Sequence, residues 1–300
     1  MPAAREDHTW TVDGDGAVAY LFGGRSGSKS FDDLWAYDLA ADAWQRVQAA
    51  GVGPSPRFGH TANWVSGVGL VVWSGQAGSD FFDDLWAFDP AARAWRMLPS
   101  QGDVPAKRYG SCAALGPDGR LWISHGFTDT GRFFDTRAYD FGSGSWSDVT
   151  PADRQPIERC LHDCWWTPGG KFLLYAGQTN GVPALGDLWS LTPDAAGGAV
   201  WEQLPKPEPR PRQLYAQAQL GGQVYVFGGS DPDSRKLNDV WQLDPMELTW
   251  AELPGNEGPA GRAGGTLVAD ESRDRLLLWG GKTDDGALDD GWELTLAAEG

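Results

Sequence analysis

The chain has 300 residues, with 41 Asp and Glu against 24 Lys and Arg for a formal charge of −17, and it carries 41 Gly, 20 Pro and 17 Trp. So acidic a surface repels phosphate backbones and anionic bilayers, so nucleic-acid and membrane partners are not expected. Glycine, proline and tryptophan at this density point to short aromatic strands joined by tight turns and exclude a mainly helical protein. The cysteines Cys112, Cys160 and Cys164 are a sparse, odd set that suits a reducing compartment better than a disulfide-stapled fold, so a cytoplasmic location is expected. Met1–Val12 has no leader-like pattern and no apolar run reaches the length of about 20 residues that crosses a membrane.

Four signals follow one another along the chain and then recur. The first is an arginine just ahead of a run such as HTANWV, at Arg5, Arg57, Arg108, Arg159, Arg212 and Arg262. Next, a Gly-Gly or a variant closes an apolar run such as YLFGG or VVWSG, at Gly23-Gly24, Ser74-Gly75, His125-Gly126, Ala176-Gly177, Gly228-Gly229 and Gly280-Gly281, 51 to 52 residues apart. An aspartate then opens a run such as DDLWAYD, at Asp33, Asp84, Asp135, Asp187, Asp239 and Asp290. Last comes a tryptophan leading a run such as WQRV, at Trp44, Trp95, Trp146, Trp201 and Trp250, with no sixth copy after GWELTL.

Each unit thus predicts four short strands, over approximately 5–50, 57–101, 108–152, 159–206, 212–255 and 262–297. Apolar runs that stop at glycine suit strands buried on both faces and ended where the backbone must turn. Six such antiparallel meanders close into a ring, so the expected fold is a single all-β, six-bladed β-propeller whose last blade lacks its outer strand. Three outcomes stay open for that blade: a trimmed chain, closure by face packing, or an edge completed by another chain in a larger complex.

The double glycine, the acidic-aromatic start of strand three and the tryptophan of strand four resemble the kelch-repeat family, including the central propeller of galactose oxidase, over nearly the whole chain. The resemblance implies the fold. It leaves function open among adaptors, cytoskeletal binders and a few enzymes. No match to the copper ligands of galactose oxidase or to the Glu-x-x-x-Asp-x-x-x-His motif of nitrile-specifier proteins is found, and no cofactor is expected.

Alternating strand direction places the varied loops between strands two and three on the same face as the Pro-rich links between blades, and that face is the expected binding surface. The arginines, among them Arg57, Arg108, Arg159 and Arg212, are expected to ring the channel entrance as a basic collar or to pair with the repeat aspartates. The resemblance adds that arginines at matching positions in kelch adaptors can grip acidic peptide motifs. His125, Phe127 and Arg137 break the repeat in blade three and are read as loop-face binding residues. His8, His60 and His162, three residues after an arginine, are weighed as metal ligands against bonds to a neighbouring blade. Alternation puts Cys160, His162 and Cys164 on one side of an extended strand. Phe31, Phe81, Phe82, Phe133 and Phe134 are weighed as exposed anchors against residues tucked under their loops. The functional reading is a scaffold that binds a protein or peptide, possibly an acidic one. An enzyme or metalloprotein site at the channel mouth is the alternative.

Overall fold

In the computed structural model, residues 1–194, 198–255 and 258–296 are described, and none of them is helical. No helix is therefore long and apolar enough to cross a membrane. Five antiparallel sheets follow the predicted order of strands one to four. Blade one is Thr9–Val12, Val18–Phe22, Leu34–Asp38 and Ala43–Val47, and blade five is Ala216–Leu220, Gln223–Phe227, Val240–Asp244 and Thr249–Leu253. Blade three adds a two-residue parallel strand, Gln101–Gly102, beyond its fourth strand. Blade six has three strands among the described residues, Thr266–Asp270, Arg275–Trp279 and Gly291–Thr295.

The second strands are the most buried, because each is paired on both edges and covered on both faces. Gly69–Trp73 is buried throughout. Apolar side chains from adjacent blades interleave into six clusters, one per blade interface. Ala19 and Leu21 of blade one meet Leu277 and Trp279 of blade six, and Tyr20 and Phe22 turn the other way onto Leu70 and Val72 of blade two. The alternation of a strand thus supplies both neighbours from one sequence run.

Backbone hydrogen bonds tie blade to blade in two closed circuits. In one, the second residue of each Gly-Gly pair donates to the arginine carbonyl of the next blade: Gly24 to Arg57, Gly75 to Arg108, Gly126 to Arg159, Gly177 to Arg212, Gly229 to Arg262 and Gly281 to Arg5, at 2.8–3.0 Å. The other runs around the channel through Asp7, Gly59, Gly110, Leu161, Leu214 and Gly264, each amide donating to the preceding carbonyl and Asp7 to Gly264, at 2.8–3.1 Å. All six of these residues have positive φ, between 53° and 66°. Blade six joins blade one through these circuits and through Arg275, whose Nη2 donates to Leu39 O at 2.9 Å and to Asp42 at 2.6 Å. Among the described residues, face packing and these bonds join blade six to blade one.

The first residue of each pair also has positive φ, yet only three of the six are glycine; Ser74, His125 and Ala176 adopt 59–65° as well. The second residue is glycine every time, because a Cβ there would strike the blade's own first strand. At Gly177, with φ of 94°, it would lie 2.7 Å from Cys160 O and from His162 Cβ. Gly177→Ala is expected to cost about 2–3 kcal/mol, from strain plus steric displacement. Gly181→Ala, at φ of 73° in open space, is expected to cost only about 1 kcal/mol. Urea titration of the two variants compares them, and equal losses would refute the steric account.

Candidate functional site

The six repeat arginines are not a collar on the surface. They are only 0–2% exposed, below the loop face. Each spans the start of strand one, the end of strand two and the start of strand three. In blade two, Arg57 Nε donates to Ser55 O, Nη1 to Ser74 O and Asp84 Oδ1, and Nη2 to Asp84 Oδ2. The same set recurs at Arg5, Arg108, Arg159, Arg212 and Arg262, with Nη1 to Oδ1 distances of 2.5–2.9 Å. Four of the five guanidinium N–H groups are thereby engaged within the blade. Phe31, Phe82 and Phe133 close over Arg5, Arg57 and Arg108 at 3.9–4.2 Å. These three rings are covers for the arginines, Phe81 is buried, and Phe134 stands exposed.

The aspartates face opposing influences. Burial disfavours their charge, but the guanidinium bonds outweigh it and hold each carboxyl below its usual range. The second carboxylate oxygen also accepts an indole N–H two residues on, from Trp35, Trp86, Trp189, Trp241 and Trp292 at 2.7–2.8 Å. Arg137 takes the place of that indole in blade three, with its Nε 3.0 Å from Asp135. It remains partly exposed and also meets Asp148 at 3.1 Å.

His8 and His60 bond across blade interfaces: His8 Nε2 lies 2.8 Å from Thr266 Oγ1 and His60 Nε2 lies 2.9 Å from Thr9 Oγ1. His162 occupies the same place, but Cys112 replaces the threonine, so its ring lacks the hydroxyl partner that His8 and His60 have. His125 is fully buried between blades three and four, not at the loop face. Its backbone takes the left-handed turn usually given to glycine, its Nδ1 lies 2.6 Å from Ser124 Oγ, and its ring sits 5.5 Å from that of His162. Among the described residues no three His, Cys, Asp or Glu side chains are placed to share a metal ion.

The cysteine expectation is also corrected. Cys112 and Cys164 form a disulfide, 52 residues apart, between the first strands of blades three and four. A separation of about one repeat brings neighbouring inner strands side by side, which a count of cysteines does not reveal. Leu161, at φ of 59°, twists the chain ahead of the strand, so the alternation starts only at Asp163. Cys160 therefore keeps a free, buried thiol, while its backbone exchanges hydrogen bonds with that of Gln178 at 2.9–3.0 Å. The disulfide removes the ground on which a reducing compartment was expected.

The residue after each arginine forms the rim of the channel on the loop face: Glu6, Phe58, Tyr109, Cys160, Gln213 and Ala263. Here the blades differ. Arg25 lies over Phe58 at 4.3 Å, Phe58 meets Tyr109 at 5.8 Å, Tyr109 meets Phe127 at 5.8 Å, and Arg132 lies over Phe127 at 5.2 Å. The result is an arc of aromatic rings with a cation at each end. Phe127, read from the sequence as a loop-face binding residue, belongs to this arc, whereas Arg25, Tyr109 and Arg132 were not singled out from the sequence. Beside Arg25, Asp7 is pushed up to about 6 because burial outweighs the guanidinium 2.9 Å away. Below the rim a cavity of about 260 Å³ follows the axis, past His8, His60, Ser111, His162, Asp163 and Gln217. Desolvation there pushes Asp163 up to about 7.

A closed ring of Arg–Asp-braced, Gly-Gly-terminated blades defines a kelch-type propeller. The KLHDC2/KLHL20/DRC7 Kelch-repeats domain family model matches residues 1–169 and 164–299, and the chain belongs to that kelch-repeat family. It is 29% identical over 298 residues to Adagio-like protein 3 of Oryza sativa subsp. japonica, covering 93% of this chain and 47% of that protein. Kelch domain-containing protein 1 of Mus musculus is 28% identical over 284 residues, covering 79% of this chain and 66% of the relative. The Rab9 effector protein with kelch motifs of Bos taurus is 30% identical over 223 residues, covering 67% and 56%. The chain thus spans 47% to 66% of the length of these relatives.

Two outcomes follow from the buried charges. Arg159→Met strands Asp187 and is expected to cost about 3–5 kcal/mol in urea titration, whereas Arg137→Ala, at a half-exposed pair, is expected to cost about 1 kcal/mol or less. The second concerns acidification. Burial holds His60 and His162 down at about 3, and lowers His8 and His125 as well. Their contribution is complete above the unfolded value of about 6.5 and is lost as pH falls below it. Asp7 and Asp163, raised, act in the opposite sense between about pH 7 and 4, but four histidines outweigh two carboxyls. Unfolding free energy is expected to drop by roughly 2–4 kcal/mol between pH 7.5 and 5.0, and an unchanged or rising value would contradict this balance.

Proposed function

We propose that this propeller is a protein-binding module that receives an extended segment of a partner at the channel mouth on its loop-rich face. The observation that carries the reading is the arc Arg25–Phe58–Tyr109–Phe127–Arg132, where edge-to-face rings, Tyr109 and Phe127 among them half-buried, offer apolar area and the two end cations suit acidic side chains. Phe127 contacts the segment directly, and Arg137 flanks it on the outer side of blade three. Arg57, Arg108, Arg159 and Arg212 serve the site from beneath by fixing the loops that carry it. Rigid support of this kind lowers the ordering cost of binding. Kinship with a protein named as a Rab9 effector supports a partner that is itself a protein.

Peptides selected from a displayed random library on the wild-type chain test the proposal. Binding of the selected peptide is expected to weaken by at least about tenfold in Tyr109→Ala and in Arg132→Ala. Met246→Ala, at an exposed turn on the opposite face, is expected to leave it within about twofold. Loss at Met246 with the mouth variants unaffected would overturn the assignment, as would a selection that enriches nothing.

A further inference from the structure

Along the inner strands, one position on the channel wall changes character from blade to blade. The fourth residue after each repeat arginine is Thr9, Thr61, Cys112, Asp163, Ala216 or Thr266. All but Ala216 line the axial cavity, and blade four alone brings a carboxylate to this position. Cys112 is tied into the disulfide, and Thr9 and Thr266 are tied to His60 and His8.

Other carboxylates drawn out of water in this molecule have a guanidinium beside them. The six repeat aspartates, Asp7 and Asp270 each lie 2.5–2.9 Å from one. Among the described residues no cation pairs with Asp163. Its Oδ1 accepts the Cys164 amide at 2.9 Å, and no other donor meets the carboxylate. Tyr215, whose Oη accepts the Asp163 amide at 2.9 Å, sends its own proton to Tyr175 O at 2.8 Å and has none to give. Ser111 commits its proton in the same way, to His125 O at 2.9 Å, and keeps lone pairs free to accept. Neither Lys nor Arg lines the cavity, and burial keeps His8, His60 and His162 uncharged. The wall is thus rich in acceptors around one carboxylate that lacks a positive partner.

Three kinds of cation could supply the missing charge, and the geometry separates them. A metal ion needs several ligands at once, and among the described residues no three His, Cys, Asp or Glu side chains converge. A guanidinium uses both oxygens of a carboxylate, as the six repeat pairs do, but the Cys164 amide already occupies Oδ1 of Asp163. An ammonium is a point charge with three donors, which needs one open oxygen and acceptors around it. We propose that the axial cavity binds a primary ammonium group, with Asp163 as its counter-ion and the neutral acceptors of the wall around it. The cavity, about 260 Å³, leaves room for a short alkyl chain behind the charge. The group belongs to a small free alkylamine or to a lysine side chain let down from a segment at the mouth; only the second source rests on the loop-face reading.

The probes are n-butylammonium chloride and lysine blocked at both its α-amine and its carboxyl, each titrated into the 300-residue chain and followed by heteronuclear NMR. The Cys164 amide, which donates to Asp163, is the reporter. A saturable shift of that amide is expected with n-butylammonium. Blocked lysine binding as tightly or tighter identifies a side chain as the source, and much weaker binding identifies a free amine. Asp163→Asn is expected to weaken the amine by at least about tenfold while melting no lower than the wild type, because a neutral amide relieves the unpaired carboxylate. Tetramethylammonium, with the same charge and no N–H donor, is expected to leave the reporter in place; this control lies in the probe and reads the site without altering the fold. Silence of the reporter with both amines, equal binding by Asp163→Asn, or equal binding of tetramethylammonium would overturn the proposal. Magnesium chloride that shifts the reporter and excludes the amine would overturn it in favour of a metal site.

Discussion

A guanidinium placed at the first turn of every blade is the constraint on which this molecule depends. Within a blade it fixes three chain segments, and its carbonyl accepts the amide that joins the blade before it. Buried ion pairs give little net stability against an apolar replacement, and their best-supported use is to specify one arrangement among several. Six short sheets of similar composition have many ways to mispair. The requirement that Arg57 find Asp84 at a bidentate distance selects one register for strand three, and the indole of Trp86 on the same carboxylate fixes where that strand sets out.

The fold was legible because its determinants repeat. Arg57 and Asp84 stand 27 residues apart in the sequence, and similar spacings recur in all six blades. The site was less legible, for a physical reason. A position that recurs in every unit serves the unit, and the arginines followed that rule; periodicity, however, gives no measure of depth, so a buried brace and an exposed collar read alike. The residue next to each arginine carries the opposite signal. Glu6, Phe58, Tyr109, Cys160, Gln213 and Ala263 share one structural place and no single chemistry. Attention to variation at that single position would have led to Tyr109 and the aromatic arc.

His125 and the cysteines show another limit. His125 looked like a surface residue because it replaced a glycine next to a loop, but a left-handed backbone turned its ring inward to the space beside Ser124, where other blades hold an aromatic side chain. One positive φ at Leu161 was enough to separate Cys160 from Cys164, leaving one free and the other joined to Cys112. Neither torsion has a dependable signature in a non-glycine residue, and both decide which way a reactive side chain faces.

The hydrogen-bonded circuit through Asp7, Gly59, Gly110, Leu161, Leu214 and Gly264 has no beginning or end. A linear array of repeats has one interface fewer than it has units, and its terminal units fray first. A ring of six has six, so no unit is terminal and a first rupture anywhere must break into an interface flanked by others. Covalent order then matters little to the circuit: it passes from Gly264 to Asp7 between blades six and one by the same amide-to-carbonyl bond that carries it between blades the chain itself links.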